Sequence, residues 1–112
     1  RVMSIFERLK KRQSLAVGDT GLYVQELTFR QINRVAALAD ADAKTWLSLA
    51  YCLVDEHGIR AYKEEPEETP EQLAARVKLD AEDQVTPGLL NAIMQAMTKL
   101  SKPVDQESLT KN

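Results

Sequence analysis

The segment LYVQELTFRQINRV, residues 22–35, changes its hydrophobic period in the middle. Up to Leu27 the chain alternates as a short strand does, with Tyr23, Gln25 and Leu27 set against Leu22, Val24 and Glu26. Beyond Thr28 the apolar residues fall at Phe29, Ile32, Val35, Ala36 and Ala39, which trace one face of a helix. Thr28 is the natural hinge. As N-cap, its hydroxyl can accept from the backbone N–H of Gln31, and the Gln31 side chain can accept from the N–H of Thr28. Leu27 and Ile32 stand where a hydrophobic staple would put them. The strand-to-helix switch is thus encoded within a few residues, and no catalytic group stands beside it.

Working outward, Leu15 to Leu27 reads as a small hairpin around the loop Gly18-Asp19-Thr20-Gly21. Such a hairpin is marginal alone and must lean on helices. Before it, Val2, Ile5, Phe6 and Leu9 are spaced as one helical stripe among Glu7, Arg8, Lys10, Lys11 and Arg12. That stripe either closes the core or docks on a neighbouring copy. The chain opens on Arg1 with Met3 close behind, so its first residues read as an added remnant.

The helix from Phe29 is expected to end near Ala39, with Asp40 or Asp42 capping the next one. Ala43, Trp46, Leu47, Ala50, Leu53 and Val54 form the main stripe of that second helix. Leu49, Tyr51 and Cys52 widen it until it is apolar nearly all round, the mark of a central buried helix. Trp46 is expected to be largely buried between the helix from Phe29 and the last helix. Gly58 suits a left-handed helix C-terminus. The rival reading pairs residues 51–54 with 59–62 as a hairpin, and the helical reading is preferred.

KEEPEE, residues 63–68, is an acidic surface loop broken by Pro66. Thr69, Pro70 and Gln72 repeat the capping device and start a helix with a thin stripe of Leu73, Val77 and Ala81, with Ala74 and Leu79 beside them. Thr86-Pro87 starts the last helix, with Val85 and Leu90 as its staple. Leu90, Ile93, Met94, Met97 and Leu100 form its strong apolar face, Lys99 and Lys102 suit its negative end, and Pro103 stops it. The expected fold is mainly α: a small single-domain bundle of four to five helices, residues 1–103, with a short β-hairpin near residues 15–27. Residues 104–112 are expected to be a flexible polar tail.

Composition bounds the function. A chain of 112 residues with net charge −2 has no general attraction to nucleic acid. No apolar run is long enough to span a bilayer and no signal-peptide pattern opens the chain, so a cytoplasmic location is expected. The single Cys52 has no disulfide partner and reads as a buried thiol.

Chemistry has few footholds. His57, beside Asp55 and Glu56, lacks the second histidine or cysteine that a metal or a general-base site would recruit. Thr45 and Ser48 have no base at useful spacing. Asp19-Thr20-Gly21 matches the aspartic protease triplet, but those enzymes need two carboxylates sharing a proton and this chain has one copy. No phosphate-binding loop is present, and no cofactor or metal is expected. The two helices around residues 39–42 could be drawn as a helix-turn-helix, yet the second would offer Asp42, Trp46, Leu47 and Leu49 to the groove, a poor reading set.

The run YVQELTFRQINRV, the apolar helix ending in CLVDEHG, the proline-broken acidic loop and TPGLLNAIMQAMTKLS together resemble the tail assembly chaperones of long-tailed, lambda-like bacteriophages. The resemblance covers roughly residues 15–101, and Glu26-Leu27-Thr28 after a strand-like valine is its most characteristic element. It implies a non-enzymatic late protein of the host cytoplasm, absent from the mature virion. Such a protein binds the tape measure protein and keeps it soluble while tail tube subunits polymerise around it. It also implies that a longer frameshifted form could engage the tail tube protein, and Lys111-Asn112 suits an adenine-rich slippery message. The candidate self-association or client-binding residues are Val2, Ile5, Phe6, Leu9, Met94 and Met97. Basic Val2–Leu9 against Glu64–Glu71, with five glutamates in eight residues, would make a head-to-tail homo-oligomer, a ring or open spiral. The alternative function is a small helical DNA-binding or adaptor regulator from a mobile element, with the basic first helix as its contact.

Overall fold

The computed structural model describes residues 14–101. β1 (Ser14–Ala16) and β2 (Tyr23–Gln25) pair antiparallel, with Ser14 opposite Gln25, Leu15 opposite Val24 and Ala16 opposite Tyr23. The Val17 N–H donates to the Leu22 carbonyl at 2.9 Å, which leaves Gly18–Gly21 as the expected four-residue loop. Gly18 and Gly21 take φ of +52° and +81°, a left-handed backbone that strains any residue with a Cβ. The Thr20 hydroxyl locks the loop by donating to the Val17 carbonyl and accepting from the Leu22 N–H.

α1 (Phe29–Ala36) begins as its cap dictates. The Gln31 N–H reaches the Thr28 hydroxyl at 3.2 Å and the Thr28 N–H reaches Gln31 Oε1 at 3.0 Å. The helix stops three residues short of Ala39, because two neighbours compete for the backbone. Leu38 turns into the core, and Asp40 adopts an extended conformation to cap α2 (Ala41–Cys52) by accepting from the Ala43 N–H at 3.0 Å.

Residues 51–62 combine the two readings. α2 ends at Cys52, and β3 (Leu53–Val54) joins the sheet beside β2, giving the order β1-β2-β3. Val54 then bridges to Arg60 across a turn in which the Asp55 carboxylate accepts from the N–H groups of His57 and Ile59. Gly58, at φ +80°, belongs to this turn and not to the end of a helix. Its left-handed backbone was legible; the element it closes was not.

α3 (Pro70–Gln84) repeats the capping box through Thr69 and Gln72, with Pro70 at its start. α4 (Pro87–Ser101) is opened by Thr86, whose hydroxyl accepts from the Leu89 N–H at 3.1 Å. The described residues therefore hold four helices and a three-stranded antiparallel sheet. The expected helix Val2–Leu9 and the tail 104–112 lie outside them.

α2 is buried on two sides and divides the core. On one side Leu49 and Cys52, with Leu53 of β3, meet Val17 and Val24 of the hairpin and Ile93 and Ala96 of α4. On the other, Leu47, Ala50 and Tyr51 meet Leu38 and the α3 residues Leu73, Ala74 and Val77. Leu27, Trp46 and Tyr62 touch both clusters. The thin stripe of α3 thus makes one of the closest helix contacts, since Ala74 and Ala50 let the backbones approach. Among the described residues, no helix is long and apolar enough to cross a membrane.

Candidate functional site

α3 and α4 diverge from Val85-Thr86 and lean on different partners. α3 packs along α2, whereas α4 packs on β1 and β2. Between them lies an apolar seam with a cavity of about 20 Å³. Trp46, Leu49 and Leu53 form its floor, Val77 and Ala81 one wall, Leu90 and Ile93 the other, with Tyr62 and Val85 at its margins. The space is about large enough for one water molecule, but a lining this apolar gives water nothing to hold, so it suits a methyl or methylene group. Trp46, Tyr62, Val85 and Leu90 are half-buried, so the seam reaches the surface.

This geometry corrects the expectation for Trp46. It is half-buried, and it faces α3 and α4 across the seam where α1 and α4 were expected. Its indole N–H needs a polar partner, and it donates to Asp42 Oδ1 at 3.1 Å near the surface. Lys78 donates to the other oxygen of the same carboxylate at 2.6 Å and holds the Asp42 carboxyl below the usual range. One aspartate therefore fastens both the indole and α3 to the start of α2.

The expected site residues divide. Met94 is 40% exposed at the flank of α4, while Met97 is half-buried and packs on the sheet side of the core. On the helix, the neighbours of Met94 at three and four residues are Leu90, Asn91, Met97 and Thr98, none of them charged. Leu90 joins this flank to the seam. Ile93 and Ala96 carry the buried line of α4, so most of its stripe is spent on the core. Val2, Ile5, Phe6 and Leu9 lie outside the described residues.

The apolar face of α1 is largely a surface. Phe29 is 85% and Ile32 47% exposed, and α1 buries no residue. Leu27 enters both core clusters, so a staple with Ile32 gives the latter little cover. Phe29 and Val35 lie about 120° apart on the helical wheel, so a core on the Val35 side leaves Phe29 outside; the wheel itself does not say which side the core takes.

The acidic loop is tied down. Arg76 forks onto Glu68 with two bonds of 2.9 Å and donates to the Lys63 carbonyl at 2.6 Å. This pairing, with help from the Glu65 N–H, lowers the Glu68 carboxyl to about 2. Arg60 takes Glu64 at 3.2 Å and lies 5.0 Å over the Tyr51 ring, and Tyr62 donates to Asp80. Two of the five glutamates offered for self-association are therefore already engaged within the chain. Elsewhere, burial pushes the Cys52 thiol up to about 12, which leaves little thiolate near neutrality. His57 is exposed beside Glu56, and the described residues contain no group of three or more potential metal ligands.

No protein-family model matches the chain, and neither curated proteins nor solved structures give a match to it.

Proposed function

We propose that this protein is a tail assembly chaperone of a long-tailed bacteriophage, which binds the tape measure protein and keeps it soluble in the host cytoplasm while the tube assembles. It acts by covering surface, without catalysis, and it leaves before the virion matures. The order of segments that carries the resemblance supports this reading. A capped helix follows a strand, then come a central apolar helix, an acidic loop and a closing helix started by Pro87.

The observation that carries the proposal is the uncharged apolar path from the α3–α4 seam along Leu90 and Met94. A tape measure protein is a long helical chain whose apolar stripes stay exposed until the tube encloses them. The half-buried margin of the seam and the exposed Met94 beside it offer such a stripe an apolar edge to lie against. Methionine suits imperfect repeats because an unbranched thioether repacks readily.

The experiment is expression of the tape measure protein with and without this chain, followed by co-purification at low and at high salt. The client is expected to be soluble only with its chaperone, the complex to survive high salt, and Met94→Asp to weaken it. A client equally soluble without this chain would sink the proposal.

A further inference from the structure

Residues 60–62 lie at one margin of the seam and are fastened at both ends. Before them, the Asp55 carboxylate accepts from His57 and Ile59 and the Asp55 N–H donates to the Ile59 carbonyl at 2.9 Å, which fixes the turn. After them, Arg76 holds the Lys63 carbonyl at 2.6 Å and Glu68 with two bonds of 2.9 Å. Between these points the Ala61 N–H donates to the Leu53 carbonyl at 3.0 Å, and Tyr62 reaches α3 by donating to Asp80. Ala61 and Lys63 are exposed, so little packing adds to these bonds. Against them stands a cost. The Tyr51 hydroxyl and the Nε and Nη2 atoms of Arg60 are buried without a hydrogen-bond partner. The Tyr51 ring, 5.0 Å from the guanidinium, returns only part of the lost hydration. A segment held by few bonds over unpaired polar groups opens more readily than the helices beside it.

We propose that residues 60–62 are a strap that closes the seam, with the Tyr62–Asp80 bond as its latch, and that its opening uncovers Trp46, Leu49 and Leu53 to an apolar side chain of the client. Closed, the seam holds about 20 Å³, too little for a leucine or methionine side chain. Its floor and walls stand on α2, β3, α3 and α4, whose movement breaks the core clusters. Tyr62 comes from a loop instead, and swinging the strap outward also returns the Arg60 guanidinium to water. The opening is a property of the free chain, whereas its use for a client rests on the chaperone reading. A client that needs the open form binds in proportion to the population of that form, so the latch sets the affinity.

The test is native-state hydrogen exchange of the Ala61 amide in the full chain, with the amides around Leu73 as the measure of global unfolding. Tyr62→Phe keeps the ring and removes the latch. Arg60→Met keeps an unbranched stem and removes the buried unpaired N–H groups. Tyr62→Phe is expected to speed exchange at Ala61 about tenfold, the effect of losing one charge-assisted hydrogen bond, and Arg60→Met to slow it, each beyond any change at Leu73. Trp46 is the single tryptophan, and acrylamide should quench it more in Tyr62→Phe and less in Arg60→Met. With the tape measure protein as client, Tyr62→Phe should bind up to about tenfold tighter and Arg60→Met more weakly. An Ala61 amide protected as deeply as those around Leu73 would overturn the strap, as would faster exchange in Arg60→Met than in the wild type. Opening that shifts as expected while client affinity stays unchanged would overturn its part in client binding. Exchange needs no client, so a strap that opens while no variant binds the tape measure protein would overturn the chaperone reading alone.

Discussion

Two helices of this protein begin with the same chemistry, Thr28-Phe-Arg-Gln31 and Thr69-Pro-Glu-Gln72, and reach opposite environments. The capping bonds are nearly identical, 3.2 and 3.0 Å at α1 against 3.1 and 2.9 Å at α3. Yet α1 has no fully buried residue and only Val35 leans on the core, while α3 buries Leu73, Ala74, Val77 and Ala81. A cap decides where a helix starts and has no say in what it packs against. Burial follows from the line behind the cap. In α3 the four residues lie within about 100° of the wheel and two are alanines, so the helix lies close along α2. In α1 the larger Phe29 and Ile32 lead away from Val35, and only eight residues are available to compensate. The more hydrophobic stripe is the one left outside. An exposed stripe in a small protein is surface available to a partner, which links this contrast to function.

The contrast can be broken by truncating one residue from each helix. Leu73→Ala, at a fully buried position, should cost roughly 2–5 kcal/mol in urea denaturation, whereas Phe29→Ala should change stability by no more than about 0.5 kcal/mol. Equal losses would place Phe29 in the core after all. Removing the caps sharpens the same point. Thr69→Ala should cost about 1 kcal/mol of global stability. Thr28→Ala should cost less, because a helix with no buried residue can fray while the rest stays folded.

A smaller effect, of opposite sign, is expected beside α3. Glu67 holds φ at 65° in the turn closed by the Glu68 N–H on the Glu65 carbonyl, a conformation that favours glycine. Glu67→Gly should stabilise the protein by about 0.5–1 kcal/mol, and a loss would show that the Glu67 side chain has a role of its own. The smallest effect is electrostatic. Arg76 lowers the Glu68 carboxyl from its ordinary 4.5 to about 2, so the clamp stabilises the fold above the ordinary value and is lost as pH falls from 4.5 through about 2. Glu68→Gln should flatten the pH dependence of stability across that window and leave it unchanged at neutral pH and above.

The sequence carried what is decided locally. Thr28-Gln31, Thr69-Gln72, Thr86-Pro87 and Gly18–Gly21 each settle their own backbone within a few residues, and each was legible. The misses depend on distant partners. Cys52-Leu53-Val54 is uniformly apolar, and periodicity cannot separate a helix end from a strand there; pairing with Tyr23 and Val24 decides it. Leu38 ends α1 early because a pocket in the second core cluster takes it. Trp46 stays half-buried because its indole N–H is drawn to Asp42. Of the candidate site, Met94 was legible as part of a stripe. Phe29 was not, because its exposure depends on which side of α1 the core takes.

Native-state hydrogen exchange on the dilute protein tests the division between a packed helix and a surface helix most directly. The account expects the amides of α1 to exchange through local openings that low denaturant barely changes. Those around Leu73 to Val77 in α3 should exchange only with global unfolding, their protection falling with denaturant in step with overall stability. Amides of α1 protected to the same level as those of α3, and equally sensitive to denaturant, would contradict it.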